Sequence, residues 1–328
     1  MGVSVVIPCF NEEKYIESCL DGLIDNGFSN SDLELLIVDG GSTDSTLKMV
    51  KEYIKKYPFI KIINNTKKFT PYALNLGVTN AKYSRVLIAG AHALYPKGYI
   101  SKLNELINKD SIDVVGGQIE TKVKNSTKVS NAICYVLSHR FGVGNSVFRI
   151  GADELIEVDT VPFGLYDKDI FDTVGLYNER LIRNHDIELS RRIQANGYKI
   201  WMDPALKCTY YARETFTGLA KNNFQNGFWN LKTLAITRKF SSLSLRHYIP
   251  LIFVLSLIIP LLLSFAIGMW FSILSLLSLL AYLSLISLIS IKTDGLSKLS
   301  MFWGFVCLHF SYGTGSLLGM LSWFKFWR

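Results

Sequence analysis

From Ile249 to Ile291 the chain carries no charged residue, and its only prolines there are Pro250 and Pro260. Such a run far exceeds the ~20 apolar residues that span a bilayer. It predicts at least two helices, 249–267 and 271–291, with Gly268-Met269-Trp270 as the turn between them and Lys292, Asp294 and Lys298 closing the pair. A third apolar stretch, 299–323, is less uniform because His309, Tyr312, Gly313, Gly315 and Gly319 interrupt it; a third span is expected there. A chain cut near Phe240, ahead of all three, is expected to be more soluble than the whole.

Charge placement gives the spans a direction. Lys207, Arg213, Lys221, Lys232, Arg238, Lys239 and Arg246 precede the first span with only Glu214 to oppose them. Basic residues flank the cytoplasmic ends of spans, so residues 236–248 read as a basic linker on an anionic lipid face. The 268–270 turn then lies outside and the Lys292–Lys298 loop inside, whereas Lys325 and Arg328 depart from the pattern, since three complete spans would put them outside. The apolar run Val3 to Ile7 has no basic region before it and meets Asn11 and Glu12 too soon for an export signal. The expectation is an integral membrane protein whose polar domain is cytoplasmic. The net charge of +8 gathers beside the membrane, with no basic and aromatic stripe and no finger motif, so nucleic acid is not an expected partner. Cys9, Cys19, Cys134, Cys208 and Cys307 lack metal-ligand spacing and read as thiols of a reducing compartment.

Residues 1–235 read as a single α/β domain. "VSVVIPCFNEE" is an apolar strand ending in a polar turn, and "KYIESCLDGLIDNG" after it has helical spacing with Gly27 as its stop. "LELLIVDGGSTDST" repeats the arrangement, with Asp39 at the strand end and Ser42 or Asp44 capping a helix Leu47 to Lys56. "IKIINN" is a third strand, Pro71 to Asn80 a helix, Arg85 to Ala89 a fourth strand and "IDVVGGQIE" a further one; 125–155 reads as irregular and Gly-rich. Alternating strands and helices imply a parallel sheet with ligands at the carboxyl ends of its strands, where Asn11, Asp39 and His92 emerge.

The order and spacing of "VVIPCFNEE", "LLIVDGGSTDST", "ALNLGVTNA", "VGLYNE" and "HDIELSRRI" resemble the family 2 glycosyltransferases with the Rossmann-like GT-A fold. "GAHALYP", "GVGNSVFR", "VDTVPFGLYDKDIF", "RNHDIELSRRI" and "FQNGFW" resemble its membrane-associated, succinoglycan-type branch. The resemblance implies an inverting enzyme that moves a sugar from a nucleotide diphosphate sugar to a lipid-linked saccharide acceptor in polysaccharide or glycan synthesis. Its rivals are a polyprenyl-phosphate sugar transferase and a catalytically weak membrane subunit that binds sugar nucleotide or glycolipid. By resemblance, Pro8, Phe10, Asn11, Glu12, Asp39, Asn75 and Ala91 contact the nucleotide, Asp39 through its base or ribose, and Asp186 is the general base.

A sugar nucleotide is already activated, so such an enzyme must stabilise a diphosphate and take one proton from a hydroxyl. A carboxylate does the second if desolvation lifts its pKa. The helix start at Asp186 opposes that lift, and Glu188 and a closed acceptor site are expected to offset it. Arg191 or Arg192, one turn on, suits pairing with a carboxylate or with diphosphate, with ordinary surface charge as the alternative; of the two, Arg192 is the acceptor-binding candidate. The family turn usually offers Asp-x-Asp to a divalent cation; here it is Gly90-Ala91-His92. His92 is either a ligand for Mn or Mg or a neutral donor to phosphate, and an Asp at 90 would restore the carboxylate if the turn has room. Gln225 and Trp229 resemble the Gln-x-x-Arg-Trp acceptor motif of membrane sugar polymerases, with Phe228 in place of Arg; the same stretch also reads as an amphipathic helix on the lipid surface, with Phe224, Phe228 and Trp229 dipping in.

Overall fold

The computed structural model describes residues 1–25, 27–109 and 112–325, so Arg328 lies outside the described residues. The chain forms two compact units, one of Met1–Glu120 with Val147–Tyr211, the other of Thr121–Ser146 with the chain from Ala212 onward. Residues 121–146 and 212–235, which no repeat or low-complexity linker sets apart from the rest of 1–235, belong by contact with the C-terminal helices.

The first unit is an α/β sheet. Its strands are β1 (Val3–Cys9), β2 (Leu33–Asp39), β3 (Ile60–Asn64), β4 (Arg85–Ile88), β5 (Ala93–Leu94), β6 (Val114–Lys122), β7 (Ile156–Glu157), β8 (Leu165–Asp167) and β9 (Ile200–Tyr211). Among the described residues they run in the order β3-β2-β1-β4-β8-β6-β9-β5, with β7 beside β9. β1 to β4 are mutually parallel, whereas β8 is antiparallel to β4. The runs VSVVIPC and LELLIVD are almost wholly buried, as a parallel sheet covered on both faces requires. Register fixes the edge: Cys9 pairs with Asp39 and Val6 with Ile88, so the loops after β1, β2 and β4 leave the sheet side by side.

Helices α1 (Ile16–Ile24), α2 (Thr46–Lys56), α3 (Thr70–Asn80) and α4 (Tyr99–Leu106) return the chain between strands. α1 buries Ile16, Cys19, Leu20 and Leu23, the i, i+3, i+4, i+7 stripe of a helix on a core. The stretch expected to be irregular instead holds α5 (Lys128–Ser138), α6 (Arg140–Val143) and α7 (Val147–Ile150). Thr127 starts α5 in a reciprocal pair with Ser130. α8 (Asp169–Val174) and α9 (His185–Ala195) complete the first unit.

The second unit packs α5 and α6 with α10 (Phe216–Thr237), α11 (Ile249–Ala266), α12 (Phe271–Lys292) and α13 (Lys298–Leu321). Leu245–Ala266 and Phe271–Lys292 are long and apolar enough to cross a membrane. The glycines that interrupt the third apolar stretch are its packing surface. A Cβ at Gly315 would lie 2.1 Å from the Phe224 carbonyl oxygen, one at Gly319 2.4 Å from that of Phe228, and one at Gly227 2.0 Å from that of Tyr312. α10 and α13 therefore touch backbone to backbone along a small-residue seam, and neither is one of the two described helices long and apolar enough to cross a membrane.

Candidate active site

At the carboxyl edge, the loops after β1 and β2 are tied together by side chains. Asp39 is buried, and its carboxylate accepts the N–H of Gly41 at 2.8 Å and the hydroxyl of Ser42 at 2.6 Å. The Ser42 oxygen in turn accepts the Asn11 N–H at 2.9 Å, and Asn11 Oδ1 accepts the Thr43 N–H at 2.8 Å. Asn11 holds a left-handed backbone (φ 55°), a conformation asparagine tolerates better than most residues. Glu12 N–H donates to Thr46 Oγ1 at 2.8 Å, closing the second loop onto the start of α2. Ser42 is thus spent on Asp39, and it is Asp44 Oδ1 that accepts the Thr46 N–H, at 3.0 Å.

These loops wall a cavity of about 320 Å³, within the size range of small-ligand sites. Pro8, Phe10 and Glu12 line it from the first loop, Ala91 and His92 from the turn after β4, and Asp186 from the start of α9. Asp186 is solvent-exposed, while Glu188 is buried and paired with Arg192. Behind Asp186, burial and then its own charge push up the Tyr166 phenol. Burial lowers the neighbouring His185 against the opposing pull of Asp186, which favours its neutral form. Beneath the floor, burial first and then the carboxylates of Glu12, Asp39 and Asp44 push the Cys9 thiol up to about 12, so it is no nucleophile at neutral pH.

Other candidates sit elsewhere. Asp39 lies under the loop, not in the cavity wall, where Val38 and Gly40 flank it. Asn75 is buried, donating to the Tyr177 carbonyl at 3.0 Å and accepting the Tyr177 N–H at 2.9 Å, so its amide braces α3 against the 177–179 segment. Arg192 forms a two-pronged pair with Glu188 at 2.8 and 3.0 Å and also donates to the carbonyls of Val174, Gly175 and Leu176. Of the two pairings open to it, it takes the carboxylate, and its fork pins the turn that leads to Tyr177. Gln225 and Trp229 lie on α10 in the second unit, where Trp229 is buried with Lys232 Nζ 4.2 Å from its ring centroid. Lys68 and Phe163, which also line the cavity, escaped the sequence reading.

Phe163 explains the missing carboxylate. A Cβ at Gly90 would lie 2.8 Å from Phe163 Cε1. The Phe163 ring is packed on Tyr95, whose hydroxyl lies 2.6 Å from the Gly90 nitrogen, and its carbonyl accepts the Tyr99 hydroxyl at 2.8 Å. The turn therefore has no room for Asp at 90 until Phe163 moves. Gly90→Asp is expected to destabilise the chain by about 1–3 kcal/mol, as overpacking does. Adding Phe163→Ala should leave the double variant more stable than the summed single losses, a coupling that thermal unfolding of the four chains reads directly. Additive losses would mean the two positions do not compete for space.

His92 Nδ1 lies 3.2 Å from Glu12 Oε1 across the cavity rim, and the His92 ring stands edge-on to Tyr210 with centroids 6.1 Å apart. Among the described residues no group of three or more His, Cys, Asp or Glu side chains gathers as a metal cluster.

This sheet order, with the first loops and an exposed carboxylate around one cavity, is the architecture of a GT-A glycosyltransferase. The mannosyltransferase PcManGT from Pyrobaculum calidifontis, solved with GDP-Man and Mn2+, superposes with a TM-score of 0.60 over 97% of this chain and 86% of that one, at 17% identity. The chain belongs to glycosyl transferase family 2, which it matches over residues 4–175. It is 34% identical, over 69% of its length and 71% of the relative's, to the dolichyl N-acetyl-alpha-D-glucosaminyl phosphate 3-beta-D-2,3-diacetamido-2,3-dideoxy-beta-D-glucuronosyltransferase of Methanococcus voltae. The succinoglycan biosynthesis protein ExoA of Rhizobium meliloti (strain 1021) is 29% identical over 75% of this chain and 74% of its own.

Proposed function

We propose that this glycosyltransferase moves a sugar from a nucleotide diphosphate sugar to a hydroxyl of a lipid-linked saccharide at the cytoplasmic face of a membrane, in one inverting displacement with Asp186 as base. The observation that carries this reading is the shared cavity: an exposed carboxylate at the start of α9 faces the loop 8–12 and the turn 91–92 across one space. A donor bound along those loops presents its anomeric carbon to an acceptor whose hydroxyl rests on Asp186. Helices α11 and α12, with the apolar α13, would anchor the chain beside a lipid acceptor, and the basic residues ahead of α11 favour a cytoplasmic orientation. A relative that acts on a dolichyl-linked sugar phosphate supports an acceptor of that chemistry.

A divalent cation fits the donor set. Mg and Mn sites in phosphate-transfer enzymes commonly use one or two protein groups and complete their shell with substrate phosphates and water. Glu12 and His92, whose side chains meet at 3.2 Å, would hold it, and the imidazole favours Mn. Such an ion neutralises charge on the departing diphosphate.

The test is transfer by the purified full chain in detergent, using labelled nucleotide sugars with either polyprenyl sugar phosphates or bare polyprenyl phosphate. Product on the sugar hydroxyl with inverted configuration is expected. Product only on bare phosphate, or donor binding without transfer, would replace this reading. EDTA should abolish transfer and Mn restore it; transfer undiminished by EDTA would leave His92 as a hydrogen-bond donor to phosphate.

A further inference from the structure

Arg149, on α7, does not itself line the cavity but lies close enough to Asp186 to feel its charge. Its guanidinium is flanked by two rings, with Phe148 at 5.4 Å and Tyr210 at 5.5 Å from ring centroid to Cζ. Tyr210 is the same ring that His92 meets edge-on, so Arg149 lies one aromatic side chain back from the rim. Its Nη1 is closed to solvent and has no hydrogen-bond partner among the described residues. Burial disfavours the cation, and the nearby carboxylate of Asp186 acts against that. A second closed nitrogen without a partner, Nδ1 of His185, belongs to a side chain in the cavity wall beside Asp186.

A guanidinium stays protonated when buried, and an unmet N–H on it carries a desolvation cost. Its planar fork matches phosphate and carboxylate oxygens. In a sugar phosphate the attacking hydroxyl and the phosphate are carried by one ring, so a base and an anion site near each other suit two groups of one sugar. Glu12 and His92 already serve the donor diphosphate in the proposed reading, which leaves Arg149 to the acceptor.

We propose that Arg149 binds the phosphate of a sugar-phosphate acceptor while Asp186 takes the proton from a hydroxyl of that same sugar. This deepens the reading above and rests on it for the identity of the acceptor. Specificity follows: the site distinguishes a lipid-linked sugar phosphate from a neutral glycolipid carrying the same sugar.

The experiment is calorimetric binding to the full chain in detergent, with three probes: a short-chain polyprenyl N-acetylglucosaminyl phosphate, neutral octyl N-acetylglucosaminide, and UDP. Arg149→Gln should weaken the phosphate-bearing probe about 10- to 100-fold, the size of one charge-assisted hydrogen bond, and leave the other two nearly unchanged. Arg149→Lys should restore part of the loss. The unfolding temperature of Arg149→Gln should fall only modestly, by the loss of the contacts with the Phe148 and Tyr210 rings, because Nη1 has no hydrogen-bond partner to lose among the described residues. Equal weakening of both sugar probes would mean a packing role, and weakening of UDP would assign the arginine to the donor; either overturns the proposal. So would a parent chain that binds the phosphate probe no better than the neutral one. Arg149-dependent binding without any transfer would instead sink the functional reading and leave the anion site standing.

Discussion

Replacing Asp186 with asparagine should lower sugar transfer about 10²- to 10⁴-fold, the usual contribution of a general base, while nucleotide binding stays nearly unchanged. Asparagine keeps the size and hydrogen-bonding reach of aspartate and removes only its basicity. The side chain is exposed at the cavity wall, and its neighbour Glu188 is committed to Arg192 and so is not free to replace it. Measuring transfer at saturating donor and acceptor, alongside calorimetric donor binding, separates chemistry from affinity. Near-normal transfer to a hydroxyl acceptor would remove Asp186 from the base role. It would also favour a phosphate nucleophile, which needs no strong base.

Asp39→Ala should do the reverse. Asp39 accepts the Gly41 N–H, the Ser42 N–H and the Ser42 hydroxyl, and Ser42 passes that order on to Asn11. Hydrogen bonds to a charged group contribute about 1.5–3 kcal/mol each. Without them the loops populate their binding-competent arrangement less often, and apparent affinity falls with that population. Nucleotide affinity is expected to drop about 10- to 100-fold, a loss of roughly 1.4–2.8 kcal/mol, with much of the transfer rate recovered at saturating donor. Unchanged nucleotide binding would mean the loops hold their shape without Asp39.

The sheet was legible because each of its first strands is a short apolar run closed by turn chemistry, and a carboxylate at the end of such a run, as at Asp39, falls on the ligand edge. Loop 8–12 and Asp186 line one cavity; both positions are picked out by the family resemblance, and Asp186 also by its place at a helix start. What stayed hidden depends on residues distant in sequence. The carbonyls that occupy Arg192 belong to 174–176, and the ring that fills the space beside Gly90 belongs to Phe163. Helix α5 was missed because its reciprocal cap uses Ser130 where the usual signature has Glu or Gln. The glycines of 313–319 read as breaks in an apolar helix, since nothing local reveals that another backbone lies against them.

The chain's path through its two units bears on how it can be divided. It enters the second unit at Thr121, returns to the first at Val147, and leaves it for good after Tyr211. A chain ending near Phe240 would keep α5 and α10 yet lose α13, whose Phe305 and Leu308 share a core with Ile133, Val136 and Leu219. The glycine face of α10 and that apolar core would then be open to water, so the shortened protein would gain a sticky surface. The two units are interleaved along the chain, and no single cut yields either one whole.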